Sequence, residues 1–158
     1  MSRIIILDSG PLSNSVVRPP RPNKIPTPSQ LCGEWIRECE LAGCTLFVPA
    51  IAYYESLREI ERRRATSQRE RLRDFVFDVP DRLIPLSTEI LEDAASLWGE
   101  VRRAGRPTSA NASLDADLIL VAQIRALGLS HSDYVVASSN LGHIGRFVPC
   151  EEWTNIQP

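Results

Sequence analysis

Arg3-Ile4-Ile5-Ile6-Leu7-Asp8-Ser9-Gly10-Pro11 is a short β-branched apolar run that ends abruptly on an acid and three turn-forming residues. Such a run has neither the length of a helix nor the alternation of a half-solvated strand. It reads as a strand buried on both faces, with a turn at its carboxyl end. Buried strands of this kind belong to parallel sheets covered by helices. Asp8 then has two readings: the opening residue of an Asx-turn, or a functional acid at the strand end where open α/β sheets place their ligands.

The rest of the chain supplies the matching elements. Residues 18–28 hold Pro19, Pro20, Pro22, Pro26 and Pro28 and read as an extended loop; the PxxP match at Pro19–Pro22 is taken as part of that loop. Thr27-Pro28-Ser29-Gln30 is a capping box with Pro at the first helical position, opening a helix to about Ala42, where Gly43 stops it. Thr45–Val48 is a second strand, Pro49 starts a helix through Arg64, and a further helix spans Thr66–Phe77. Leu83–Leu86 is a third strand. Ser87 caps a helix from Thr88 to Ala104 that Gly105 and Pro107 end. The polar stretch Thr108–Ser113 leads to a helix from about Asp115 to Leu127, stopped by Gly128. Tyr134–Ser138 is a fourth strand and Phe147–Val148 a candidate fifth. Alternating strands and helices in 158 residues predict one three-layer α/β/α domain, 1–158, around a parallel sheet of four to five strands, the Pro-rich loop lying inside it.

Composition excludes several alternatives. The apolar runs, such as Ile4–Leu7 and Leu118–Ala122, are too short to cross a bilayer. No secretion signal opens the sequence, so a cytoplasmic protein without a membrane is expected. Cys32, Cys39, Cys44 and Cys150 fit no zinc or redox spacing. Cys32 and Cys39, seven apart on one helix face, read as buried thiols. A net charge of −2 argues against coating nucleic acid by bulk attraction. Seventeen of the eighteen basic residues are Arg, and Lys24 is the sole lysine. Haloacid-dehalogenase-type phosphotransfer needs a second Asp where Gly10 stands and a lysine after a later strand, and is disfavoured. No GxxxxGK[ST] or GxGxxG is present.

Other acids fall at suggestive places. The helix after Asp115 is apolar at Leu114, Ala116, Leu118, Ile119, Val121, Ala122, Ile124, Ala126 and Leu127, hence buried on most sides. Asp115 suits an N-cap. Asp117, two residues on, points to a different side of the helix. Glu55 lies in the second turn of the helix after the second strand and, taken alone, reads better as a surface acid paired with Arg58 than as a functional one. The segment Arg58–Arg73 carries seven Arg against Glu59, Glu61 and Glu70. It reads either as a solvated face of Glu–Arg pairs or as a patch for phosphates or an acidic partner segment. Arg102, Arg103 and Arg106 pose the same question. Trp35, Trp98 and Trp153 read as packing residues. His131 and His143 read as loop or helix-turn residues, with His143 and Arg146 placed to touch a substrate.

Taken together, strand-Asp8-Ser9-Gly10, Val48-Pro49…Tyr54-Glu55-Ser56-Leu57-Arg58, Asp117-Leu118-Ile119-Leu120-Val121-Ala122 and Val135-Val136-Ala137-Ser138-Ser139-Asn140…Phe147 resemble the PIN-domain family in order and spacing, from Ile4 to Val148. That family includes the VapC-type ribonuclease toxins of VapBC toxin–antitoxin pairs. The resemblance implies catalytic acids at Asp8, Glu55 and Asp117. It implies a Mg²⁺ or Mn²⁺ site formed by Asp8 and Asp117, with Asp115 a neighbouring candidate and Asn140 where many members carry a fourth Asp. Ser9 and Ser138 match hydroxyl residues that hydrogen-bond within such a site, and Arg58, Arg62 and Arg63 are candidate substrate contacts. The expected activity is endonucleolytic hydrolysis of single-stranded or looped RNA, with a homodimer and an antitoxin protein as expected partners. The competing expectation, raised by the uncharged Asn140, is a PIN-fold binding or scaffold module with little cleavage.

Overall fold

The computed structural model describes residues 2–105 and 111–158. Its centre is β1 (Ile4–Leu7), whose Ile5, Ile6 and Leu7 are wholly buried. Five parallel strands form the sheet in the order β3-β2-β1-β4-β5, where β2 is Thr45–Pro49, β3 Leu83–Ile84, β4 Tyr134–Ala137 and β5 Cys150–Glu151. Ile5 is in register with Leu46 on one side and Val135 on the other. The chain therefore steps outward from β1 through β2 to β3, then returns to β4 on β1's other flank. This reversal leaves a crevice beyond the carboxyl ends of β1 and β4, the general ligand position of such sheets.

Helices cover both faces of the sheet, as expected of an α/β fold. They are α1 (Ser9–Asn14), α2 (Pro28–Leu41), α3 (Ala50–Arg62), α4 (Thr66–Phe77), α5 (Thr88–Arg103), α6 (described from Asn111 to Arg125) and α7 (Leu141–Ile144). Thr27 and Gln30 form both bonds of the predicted capping box on α2. Ser87 caps α5 through the Ile90 amide. Gly43, at φ +81°, turns the chain out of α2 in a conformation that favours glycine. Cys32 and Cys39 are buried with Trp35 and Ile36 on the core face of α2, and the Trp35 indole donates to the Ile156 carbonyl at 2.8 Å.

Three expectations are corrected. Ser9–Asn14 is a short helix and not an open turn: the Asp8 carboxylate caps it by accepting from the Ser9 amide at 2.7 Å, and Pro11 fits the first turn, where its missing N–H has no intrahelical partner. The last strand is Cys150–Glu151, because the Phe147 and Val148 amides are tied back to the Ile144 carbonyl in the turn that ends α7. Asp115 lies inside α6, already helical from Asn111, and so does not cap it. The expectations for Arg106, Pro107 and residues 108–110 fall outside the described residues. Among the described residues, no helix is long and apolar enough to cross a membrane.

Gly33 marks the closest approach of α2 to α1. A Cβ added there would lie 2.7 Å from the Asn14 carbonyl oxygen, which belongs to the backbone and cannot swing aside. Gly33→Ala is expected to cost about 1–3 kcal/mol by forcing the helices apart. Thermal denaturation should then show a melting temperature lower by roughly 3–10 °C.

Candidate active site

The local chemistry starts with Asp8. β1 ends just before it, its amide donates to the Ala137 carbonyl of β4, and its own carbonyl accepts from the Leu12 amide as α1 begins. The backbone is thus held on both sides, and the carboxylate projects at the strand end. One oxygen caps α1. The other accepts from the buried Ser138 hydroxyl at 2.6 Å, and Ser138 Oγ in turn accepts the Asn140 amide at 2.9 Å. Ser138 directly follows β4, so the end of one strand orients the acid at the end of the next.

Asp117 enters from α6, nearly two turns into the described part of the helix. Its Oδ2 accepts the Asn140 side-chain amide at 2.9 Å and lies 3.5 Å from His143 Nδ1. Glu55 arrives on α3, half-buried on the side facing Asp8, with Arg58 3.4 Å from its carboxylate. Ser9, the first residue of α1, sits between Asp8 and Glu55 and favours the ionised form of both carboxyls. Four elements and the loop after β4 therefore bring Asp8, Ser9, Glu55, Asp117, Ser138 and Asn140 to one edge of the sheet.

The acids sense one another. Loss of solvent raises the pKa of Asp8, and hydrogen bonds from Ser138 and Ser9 oppose that rise. Burial first, then the negative charge of Asp8, raises Glu55, while Arg58 and Ser9 pull it back. Asp117 is pushed up to about 6 by burial and then by Asp8, against the opposing effects of Asn140 and His143. Clustered carboxylates in a partly desolvated site are unfavourable when all are ionised, and a cation relieves that cost. The donors are carboxylate, amide and hydroxyl oxygens, which match hard divalent cations in kind. Among the described residues, no three His, Cys, Asp or Glu side chains already stand as a preformed ligand cluster. Ser138 and Asn140 hold one oxygen each of Asp8 and Asp117, so the acids are oriented separately.

Several sequence expectations land elsewhere. Asp115 is exposed and lines a groove of about 470 Å³ with Leu91, Ala94, Trp98, Leu118 and Ile119, between α5 and α6. Residues two apart on a helix are about 200° apart around its axis, so with Asp117 turned to the sheet edge Asp115 is turned away from it. Asn140 presents its amide nitrogen to Asp117, acting there as a hydrogen-bond donor. Of the three arginines, Arg58 touches a site acid, whereas Arg62 binds both oxygens of Glu59 and Arg63 donates to the Glu59 carbonyl.

Two residues come closer than the sequence spacing had indicated. His143 was placed as a substrate contact, and α7 brings its ring beside Asp117; its position three residues after Asn140, on the same side of a helical turn, was the available signal. The half-buried Cys150 of β5 lies close enough to feel the site's charge: its thiol is pushed up to about 11, first by burial and then by Asp8. Nothing in its spacing to the other cysteines pointed there.

No protein-family model matches the chain, and no curated protein matches it. Solved structures do. A chain of the FitAcB structure from Neisseria gonorrhoeae is similar with a TM-score of 0.62 and 15% identity, over 96% of this chain and 99% of that chain. A chain of VapBC2 from Rickettsia felis, solved bound to a DNA fragment from their promoter, gives a TM-score of 0.58 at 15% identity, over 95% and 98% of the two chains. A chain of VapBC-1 from nontypeable Haemophilus influenzae gives 0.55 at 15% identity, over 96% and 99%. Likeness at this identity speaks for the fold alone, and with the five-stranded parallel sheet it shows that the chain has a PIN-like α/β fold.

Proposed function

We propose that this protein is a single-domain, cytoplasmic, metal-dependent ribonuclease that hydrolyses RNA phosphodiester bonds, and that it serves as the toxin of a toxin–antitoxin pair. The observation that carries the reading is the convergence of Asp8, Glu55 and Asp117, from three separate elements, on the strand edge where the sheet order reverses. Surface acids have no reason to gather at such a cost in mutual repulsion. Likeness to VapBC and FitAcB chains supports the toxin reading and an antitoxin protein as partner; a homodimer belongs to the same proposal.

In this reading Asp8 and Asp117 hold Mg²⁺ or Mn²⁺. When bound, such a cation neutralises phosphate charge and lowers the pKa of a ligated water. The protein's own groups do the rest. Ser138 fixes the Asp8 carboxylate. Asn140 and His143 fix Asp117 from the other side. Glu55, with its pKa raised, is a better proton acceptor than an ordinary glutamate and takes a proton from the attacking water. Arg58, beside Glu55, meets the substrate phosphate.

The competing scaffold reading draws on Asn140, which brings no charge to the site. Mn²⁺ titration separates the two. Wild type should bind Mn²⁺, and Asp8→Asn and Asp117→Asn should each weaken that binding at least tenfold; binding indifferent to both substitutions would favour the scaffold. The basic run at the end of α3 and in the turn after it has its own test. Replacing Arg62, Arg63 and Arg64 by Glu should weaken RNA binding and reduce the slope of log affinity against log salt by about two. An unchanged slope would assign these arginines to surface ion pairs.

A further inference from the structure

We infer that Tyr54 and Arg58 form a seat for one unpaired RNA base next to the carboxylate site. The inference rests on the ribonuclease reading above and adds to it a recognition element on α3.

Tyr54 directly precedes Glu55, yet its side chain leads outward: the residue is 56% exposed, among the most exposed large apolar groups in the described structure. More than half of the residue is thus left in water, on the helix that carries Glu55. Arg58, one turn on, connects the two environments. Its guanidinium lies 3.4 Å from the Glu55 carboxylate and 5.6 Å from the Tyr54 ring centre. The buried Arg82, by contrast, lies 4.3 Å over Phe75, hydrogen-bonds the Phe75 carbonyl, and pairs with Glu40 at 2.6 Å. That is a closed structural stack. Tyr54–Arg58 is a loose, solvent-facing one, with ring surface to offer.

An exposed ring beside an arginine, at the rim of a site for phosphodiesters, has the chemistry of a single-strand binding element. The ring takes the π-face of a base and the guanidinium takes phosphate or stacks in turn. The charge of the surroundings agrees. Arg62 ends the same helix, Arg63 and Arg64 follow it in the turn before α4, and Arg58–Arg73 carries a net positive charge. Duplex RNA cannot use such a seat, because its bases are stacked inside the helix. Every base has a π-face, so the seat selects an unpaired nucleotide and not a sequence.

The test uses the full chain with Ca²⁺ in place of Mg²⁺ to hold a fluorescent, unstructured RNA oligonucleotide bound. The RNA is made intact, as a duplex, and with one abasic nucleotide placed at successive positions. Wild type should prefer the single strand to the duplex. Tyr54→Ala should weaken single-strand binding on the order of tenfold to a hundredfold, and Tyr54→Phe should stay within about twofold, because stacking needs the ring and not the hydroxyl. One abasic position should weaken wild type by the same factor and leave Tyr54→Ala unaffected. Equal binding by wild type and Tyr54→Ala overturns the inference. So does an abasic penalty that persists in Tyr54→Ala, or a Tyr54→Ala defect seen only in binding a protein partner. The parent reading fails separately: RNA that is bound but never cleaved with Mn²⁺ refutes the ribonuclease while the Tyr54 result still stands on its own.

Discussion

Asp8→Asn is expected to lower Mn²⁺-dependent RNA cleavage by at least a thousandfold while leaving the protein folded. The Asn side chain keeps the shape of the acid. Its amide oxygen can still accept from the Ser9 amide or the Ser138 hydroxyl, which bind the two Asp8 oxygens at 2.7 and 2.6 Å. What is lost is the charge at the centre of the acid cluster, which after burial is the next cause raising both Glu55 and Asp117. Initial cleavage rates for wild type and variant, beside their melting curves, check the prediction. Comparable rates would remove Asp8 from the chemistry. A collapse in melting temperature would instead make it a helix cap whose loss unfolds α1.

Asp117→Asn is expected to act in two opposite directions. In the metal-free protein it should raise the melting temperature at pH 7.5 by roughly 2–5 °C, and it should abolish the stabilisation that Mn²⁺ gives wild type. The sign follows from linkage. The folded protein holds the Asp117 proton up to about pH 6, whereas an unfolded aspartate releases it near pH 3.9. Between those values the folded state binds more protons, so stability falls as pH rises through the window and is regained on acidification. Ionised Asp117 thus penalises the metal-free fold at neutral pH, and the amide removes that penalty. Thermal melts at pH 5 and 7.5, with EDTA or Mn²⁺, check this. A variant destabilised at pH 7.5 without metal, or one still stabilised by Mn²⁺ as wild type is, would contradict it.

Much of the architecture was readable because it rests on long or strongly punctuated patterns. The Thr27–Gln30 capping box, Ser87 before α5 and the apolar stretch of α6 each state their element locally. The misread parts lie where local signals are ambiguous or tertiary contacts decide. Asp8-Ser9-Gly10-Pro11 has the composition of a turn, but an acid followed by Pro two residues into the helix is also a helix start, and α1 is only six residues long. Phe147 and Val148 are more strand-like than Cys150 and Glu151. The strand forms at the latter pair because α7 consumes the former in its closing turn.

The site was partly legible for a related reason. Asp8 and Glu55 follow strands, and strand ends can be located from sequence. Sequence favours Asp117 over Asp115, yet it misreads Asp115 as a cap and keeps it as a candidate ligand, because the helix begins further upstream than its apolar pattern shows. The structure turns Asp117 to the sheet edge and Asp115 to the α5 groove. His143 reaches the site on α7, which packs on α6 and β5, and Cys150 reaches it on β5, which pairs with β4. No motif spacing encodes that.

The account stands most directly on one measurement: cleavage of an unstructured RNA by the purified wild-type chain in Mn²⁺, in Mg²⁺ and in EDTA. The result it predicts is endonucleolytic cleavage with either metal and none in EDTA. Cleavage that continues in EDTA, or no cleavage with either metal in a protein shown to bind Mn²⁺ and RNA, would contradict it.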